Sequence, residues 1–89
     1  MNTPHQFTIE SVTSPTVLPR IALMFTRRGV TIDHLEMTTH EDGSYTRLGL
    51  RAQCDASIAA KLESQLRRVV EVYEVKVGAS PSLAAAATA

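Results

Sequence analysis

Aromatic side chains are scarce in this 89-residue sequence: no tryptophan, two phenylalanines and two tyrosines. Phe7 and Phe25 fall at core positions, so Tyr45 and Tyr73 are too few to build a sheet platform that stacks RNA bases. Cysteine is limited to Cys54, which excludes an internal disulfide and any paired-thiolate metal site. A lone cysteine without metal-ligand partners fits a reducing compartment, where it serves as a small core hydrophobe. Neither sign of charge predominates: nine basic and nine acidic residues give a formal net charge of zero. That balance supplies no electrostatic footprint for nucleic acid or an anionic membrane, and little self-repulsion against association. Gly29, Gly43, Gly49 and Gly78 are isolated, which excludes a glycine-rich phosphate loop. The longest apolar-rich window, Val17 to Phe25, carries Pro19 and Arg20 and is too short to span a bilayer. Met1 to His5 lacks a basic region and a following apolar run, so no signal peptide is expected and the expected address is the cytoplasm.

What is present is hydrophobic periodicity that changes from two to helical and back. Apolar residues make up 44% of the chain, enough for one core, so a single domain is expected over residues 6–78. Residues 1–5 are expected to be a disordered N-terminus, and 79–89 a disordered alanine-rich tail. Gln6 to Val12 alternates with Phe7 and Ile9 on one face, a half-buried strand. In the turn that follows, Ser14 is a candidate N-cap and Pro15 a candidate first helical residue. Val17, Leu18, Ile21, Met24 and Phe25 then form an apolar stripe at helical spacing. Pro19 leaves two options: a helix from Pro15 with an irregular first turn, or a helix proper from near Pro19. The first is adopted, with its end at Arg28 and Gly29 as the stop.

The second strand runs from Val30 to about His40, and Ile32 is out of phase with Leu35, Met37 and Thr39. Such a slip predicts a bulge near Asp33-His34. Glu41-Asp42-Gly43-Ser44 is a hairpin turn, and Tyr45 to Cys54 alternates with Leu48, Leu50, Ala52 and Cys54 inward. Asp55 caps a helix from Ala56 to about Arg68, with Ile58, Leu62, Leu66 and Val69 as its buried stripe and Glu63 paired to Arg67. Val70 to Val77 closes the fold as a strand. The order βαββαβ predicts an α+β, ferredoxin-like two-layer sandwich: an antiparallel sheet ordered 4-1-3-2 with both helices on one face. The open face would carry Glu10, Glu36, Arg47, Arg51 and Glu74 or Lys76, a mutually neutralising set. The second and fourth strands are the edges, and a homodimer through a sheet edge is expected.

Chemistry-bearing sets are sparse. His34 and His40 lie near one strand, but a histidine pair without a carboxylate or cysteine framework is a weak metal signal. Asp33, His34 and Ser11 or Ser14 can be written as a triad, as similar sets can in any chain. No catalytic residue, metal or cofactor is expected. The turn before the first helix is the remaining candidate, because backbone N–H groups at a helix N-terminus receive carboxylates. An ordinary strand-to-helix turn accounts for the same residues.

The segment Pro15-Thr16-Val17-Leu18-Pro19-Arg20-Ile21-Ala22-Leu23-Met24-Phe25-Thr26-Arg27-Arg28-Gly29, continuing to Leu35, resembles the opening of an ACT domain. The later helix Ile58 to Leu66 and the ending Val69-Val70-Glu71-Val72-Tyr73-Glu74-Val75 resemble the small subunits of acetohydroxyacid synthase (acetolactate synthase). The resemblance implies two domains joined side by side in an eight-stranded sheet, with an effector amino acid, often valine, at the interface. It places a tentative effector site at Thr13, Ser14, Pro15, Thr16 and Val17. Thr13 stands where the family has Asp or Asn, and Thr16 where it has Gly, so the Thr16 side chain is expected to occupy ligand space. Some relatives are a single short ACT domain serving enzymes that valine does not inhibit. The resemblance therefore implies a non-catalytic subunit that binds and activates a catalytic large subunit in branched-chain amino-acid biosynthesis. A free-standing amino-acid sensor is the alternative.

Overall fold

A computed structural model of the chain describes residues 2–79. Its elements are β1 (Thr3–Ser11), α1 (Val17–Arg27), β2 (Ile32–Thr39), β3 (Thr46–Cys54), α2 (Ala56–Arg67) and β4 (Val72–Ala79). The four strands form one antiparallel sheet ordered β2-β3-β1-β4, which is the expected 4-1-3-2 order viewed from the other edge. The architecture is the expected ferredoxin-like α+β sandwich. No helix among the described residues is long and apolar enough to cross a membrane.

The core lies between the helices and the central strands. Phe7 and Ile9 of β1, Leu48 and Leu50 of β3, Ile21 and Phe25 of α1, and Leu62 and Leu66 of α2 are fully buried. Each such side chain stabilises the fold by roughly 1.5–3 kcal/mol relative to exposure. Phe7 meets Phe25 edge to face, with ring centroids 5.0 Å apart and planes at 83°.

Local chemistry sets the ends of the elements. After α1 the Val30 N–H reaches the Phe25 carbonyl at 3.0 Å and the Gly29 N–H reaches Thr26 at 2.9 Å, with Gly29 at φ 68°. This paired closure needs a left-handed residue, which is why glycine ends the helix. Asp55 accepts from the Ile58 N–H at 2.8 Å as the N-cap of α2. The expected bulge appears as a register shift between Ile32 and His34, and Gly43 takes φ 73° in the hairpin turn.

Several boundaries differ from those expected. β1 begins at Thr3, not Gln6: Thr3, Pro4 and His5 pair with Cys54, Gln53 and Ala52, because β3 is long enough to present partners beyond Phe7. Neither Ser14 nor Pro15 starts α1. Pro15 instead sits in a turn closed by the Val17 N–H on the Ser14 carbonyl, and Thr16 is the N-cap without a side-chain cap bond. Pro19 then falls within the first helical turn, where its missing N–H would have had no helical partner. The last helical residues are Arg27 and Arg67, with Arg28 and Arg68 as C-caps. In α2, Ala59 joins Leu62 and Leu66 in the buried stripe, while Ile58 and Val69 are only half-buried. Val70 is 94% exposed in the turn before β4, which begins two residues later than expected and extends through Ala79. The remainder of the expected tail lies outside the described residues.

On the open face Arg47 bridges Glu10 at 2.9 Å across β3 and β1, and both Glu74 and Lys76 lie there, 3.7 Å apart. The Arg47 guanidinium is held further protonated by the Glu10 hydrogen bond and charge. Glu63 bridges Arg67 at 2.8 Å as its i,i+4 spacing requires.

Candidate functional site

A recess of about 240 Å³ opens where β1 ends and α1 begins. From the turn and helix it is lined by Ser11, Val12, Thr13, Ser14, Pro15, Val17 and Leu18, and from the sheet by Met37, Thr39, Thr46 and Leu48. Four of the five expected site residues, Thr13, Ser14, Pro15 and Val17, therefore come together around one cavity. Thr16 does not. Its hydroxyl donates to Glu71 Oε2 at 3.0 Å, and the same carboxylate receives Arg20 Nη1 at 2.6 Å. The Thr16 hydroxyl also lies 2.9 Å from Ser14 Oγ, so it sits at the edge of the recess and not among its lining residues.

The cavity wall has a feature that sequence spacing does not display. Thr46 Oγ1 lies 3.0 Å from Thr13 Oγ1 and 3.1 Å from Thr39 Oγ1, joining three hydroxyls in a row. Three hydroxyl protons serve two links, so one O–H of the row is left over for another acceptor. Apart from Ser11, Ser14 and the Met37 thioether the rest of the wall is aliphatic, and its lining includes no ionisable side chain. Such a surface binds by shape, apolar contact and hydroxyl hydrogen bonds.

The helix terminus itself offers less to a carboxylate than a bare helix N-terminus would. The Thr16 N–H donates to Ser14 Oγ at 3.3 Å and the Val17 N–H to the Ser14 carbonyl at 3.4 Å. Pro15 and Pro19 carry no N–H at all. The expected backbone cradle is thus largely committed to the turn's own bonds.

The other chemistry-bearing residues are dispersed. His34 pairs with Glu36 at 3.0 Å, and His40 with Asp42 at 2.8 Å while stacking on Tyr45. Among the described residues no three His, Cys, Asp or Glu side chains group as metal ligands. Ser11 is buried with its hydroxyl on the Val12 carbonyl, so the Asp33, His34, Ser11 set does not assemble. Burial, aided by the Asp55 charge, pushes the Cys54 thiol up from its usual value, which keeps it protonated and unreactive.

Beside the recess, the edge strand leaves apolar side chains uncovered. Leu35 pairs with Leu50 and Met37 with Leu48, which puts both on the core face of the sheet. They are nevertheless 42% and 55% exposed.

Taken together, the sandwich and the recess at its first strand-to-helix turn define a small ferredoxin-like domain with a neutral, hydroxyl-lined cavity. Residues 13–75 match the family model described as the ACT domain. The chain belongs to the ACT domain family. It is 31% identical over 62 residues to the probable acetolactate synthase small subunit of Methanothermobacter thermautotrophicus, covering 70% of this chain and 37% of that protein. The crystal structure of the acetolactate synthase small subunit from Thermotoga maritima superposes with a TM-score of 0.72 at 26% identity, over 83% of this chain and 46% of that one. The ACT domain of GTP pyrophosphokinase from Chlorobium tepidum superposes with a TM-score of 0.74 over 88% of this chain and all of that domain; at 13% identity this likeness shows the fold alone. The chain thus spans less than half the length of either small subunit.

Proposed function

We propose that this chain is a non-catalytic, activating subunit of acetolactate synthase (acetohydroxyacid synthase), working in the cytoplasm in branched-chain amino-acid biosynthesis. The similarity to two small subunits named for that enzyme supports the reading. The observation that carries it furthest is the pairing of an uncovered apolar edge, Leu35 and Met37, with a cavity whose wall has no ionisable side chain. An edge of that kind serves association and a cavity of that kind serves binding; neither supplies proton transfer. In this reading two copies join through β2, and the pair binds the catalytic large subunit in its active conformation. Activation then needs only tighter binding to the active state than to the inactive one.

Because Ser14 holds the Thr16 and Val17 N–H groups and Pro19 has none, valine has little backbone to grip here, and the enzyme served would be valine-insensitive. Mixing the chain with a large subunit should raise acetolactate formation, and the two should co-elute. No change in rate at a saturating ratio would overturn the proposal. The threonine row favours a second reading, a free-standing sensor of a small amino acid. Calorimetry against valine, leucine, isoleucine and serine separates the two, since heat of binding without any effect on the synthase supports the sensor.

A further inference from the structure

The positive charge of this neutral chain is unevenly matched. Arg20, Arg47, Arg67 and Lys76 each lie within ion-pair distance of a glutamate. Arg27, Arg28, Arg51, Lys61 and Arg68 have no such carboxylate among the described residues, and three of these five, Arg27, Arg28 and Arg68, line one groove of about 470 Å³ between the last turns of α1 and α2, together with Met24 and Gln65. We propose that this groove is a docking site for an acidic segment of a partner protein.

Helix C-termini favour basic residues through the helix dipole, and that accounts for an arginine near the end of each helix. It does not account for three guanidinium groups brought to one groove from two helices. Arg28 is half-buried, and its Nε donates to Gln65 Oε1 at 3.1 Å. That bond fixes one edge of the guanidinium and leaves its terminal N–H groups without a carboxylate partner among the described residues. Planar guanidinium forks match carboxylates two bonds at a time. The apolar components narrow the occupant further. Met24 supplies an adaptable thioether in the lining, and outside the groove Leu23, one turn before Arg27 on the same helix face, is 45% exposed. A cationic groove with an apolar side chain in its lining fits carboxylates interspersed with aliphatic side chains, as a protein segment carries them, rather than a compact free anion. No residue of this groove lines the recess or belongs to β2, so it can be filled while the edge is paired.

The test uses the full chain and a fluorescein-labelled peptide of alternating glutamate and leucine. Fluorescence anisotropy should show saturable binding that weakens as salt rises. The side-chain Nε resonances of Arg27, Arg28 and Arg68 should shift on titration, and those of Arg47 and Arg67 should not. Replacing the three together, R27E/R28E/R68E, should lower affinity by at least about tenfold, and R51E on the open sheet face should leave it unchanged. Should the triple variant fail to fold, Arg68→Glu alone should still weaken binding several-fold with the melting curve retained. Unchanged affinity in these variants, or shifts centred on other arginines, would overturn the proposal. So would inorganic phosphate or phosphatidylserine vesicles displacing the peptide from these resonances at lower concentration, since the groove would then be a site for phosphate-bearing anions.

Discussion

The two edge strands of the sheet share an apolar alternation and have opposite circumstances. β4 and β2 each place apolar side chains on the helical face, Val75 and Val77 in one, Leu35 and Met37 in the other. α2 packs over β4, so Val75 is 1% exposed. No comparable cover lies over the outer part of β2, and its pair stays near half exposure. Apolar alternation therefore states which face of a strand is built for burial, not whether the chain itself supplies the cover. On β4 the pattern serves folding; on β2 it serves association in the function proposed above.

Substituting the two edges separates those roles. Val75→Asp would bury an unpaired carboxylate under α2. The expected cost is several kcal/mol, a large share of the roughly 5–15 kcal/mol that holds a domain together. Circular dichroism should show no cooperative melt at ordinary temperatures. The double change Leu35→Glu with Met37→Glu should leave the melt within a few degrees, because both side chains are already exposed. If the proposed pairing through β2 holds, sedimentation should show dimers of the unmodified chain and monomers of the double variant. A dimer surviving that change would mean the β2 edge is not the contact.

Smaller effects test the supports behind the edges. Asp55→Ala removes the N-cap of α2, the helix that covers β4, and should cost about 1 kcal/mol in urea unfolding. At the tip of the β2–β3 hairpin, the Asp42 carboxyl is held below its usual value by its bonds from Ser44 and then His40. A lowered folded pKa means the turn's stabilisation is complete above the usual carboxylate range and is lost as pH falls through the lowered value. The Ser44 amide resonance should move in that acid window. A midpoint at the ordinary aspartate value would show that the bond does not form in solution.

Much of this arrangement is legible in the residues. Gly29, Asp55 and Asp42-Gly43 punctuate the chain by local backbone chemistry, so the helix stop, the cap and the hairpin are readable one by one. The phase slip at Ile32 exposes the bulge because strand periodicity is strict. What escapes is what depends on distant partners. Thr3 to His5 carry no pattern of their own and become strand only because β3 runs long enough to pair them. The threonine row needs Thr13 beside Thr46, 33 positions away. The turn at residues 13–17 is identifiable as the candidate site, but the sheet half of the cavity, Met37, Thr39, Thr46 and Leu48, is fixed by register and fold and not by spacing. Glu71 escapes for the same reason, lying 55 positions from the Thr16 hydroxyl it holds.

That glutamate has a mechanical consequence. Its carboxylate holds Thr16 and Arg20, and its backbone carbonyl accepts the Val12 N–H at 2.9 Å. The rim of the cavity and the start of β4 are thus riveted at one residue, immediately after the protruding Val70. The turn carrying Val70 is thereby tied to both ends of the loop that borders the recess. By reciprocity, whatever stiffens the recess also stiffens the Val70 turn. One residue, through its carboxylate and its carbonyl, joins a strand-to-helix loop to a helix-to-strand turn.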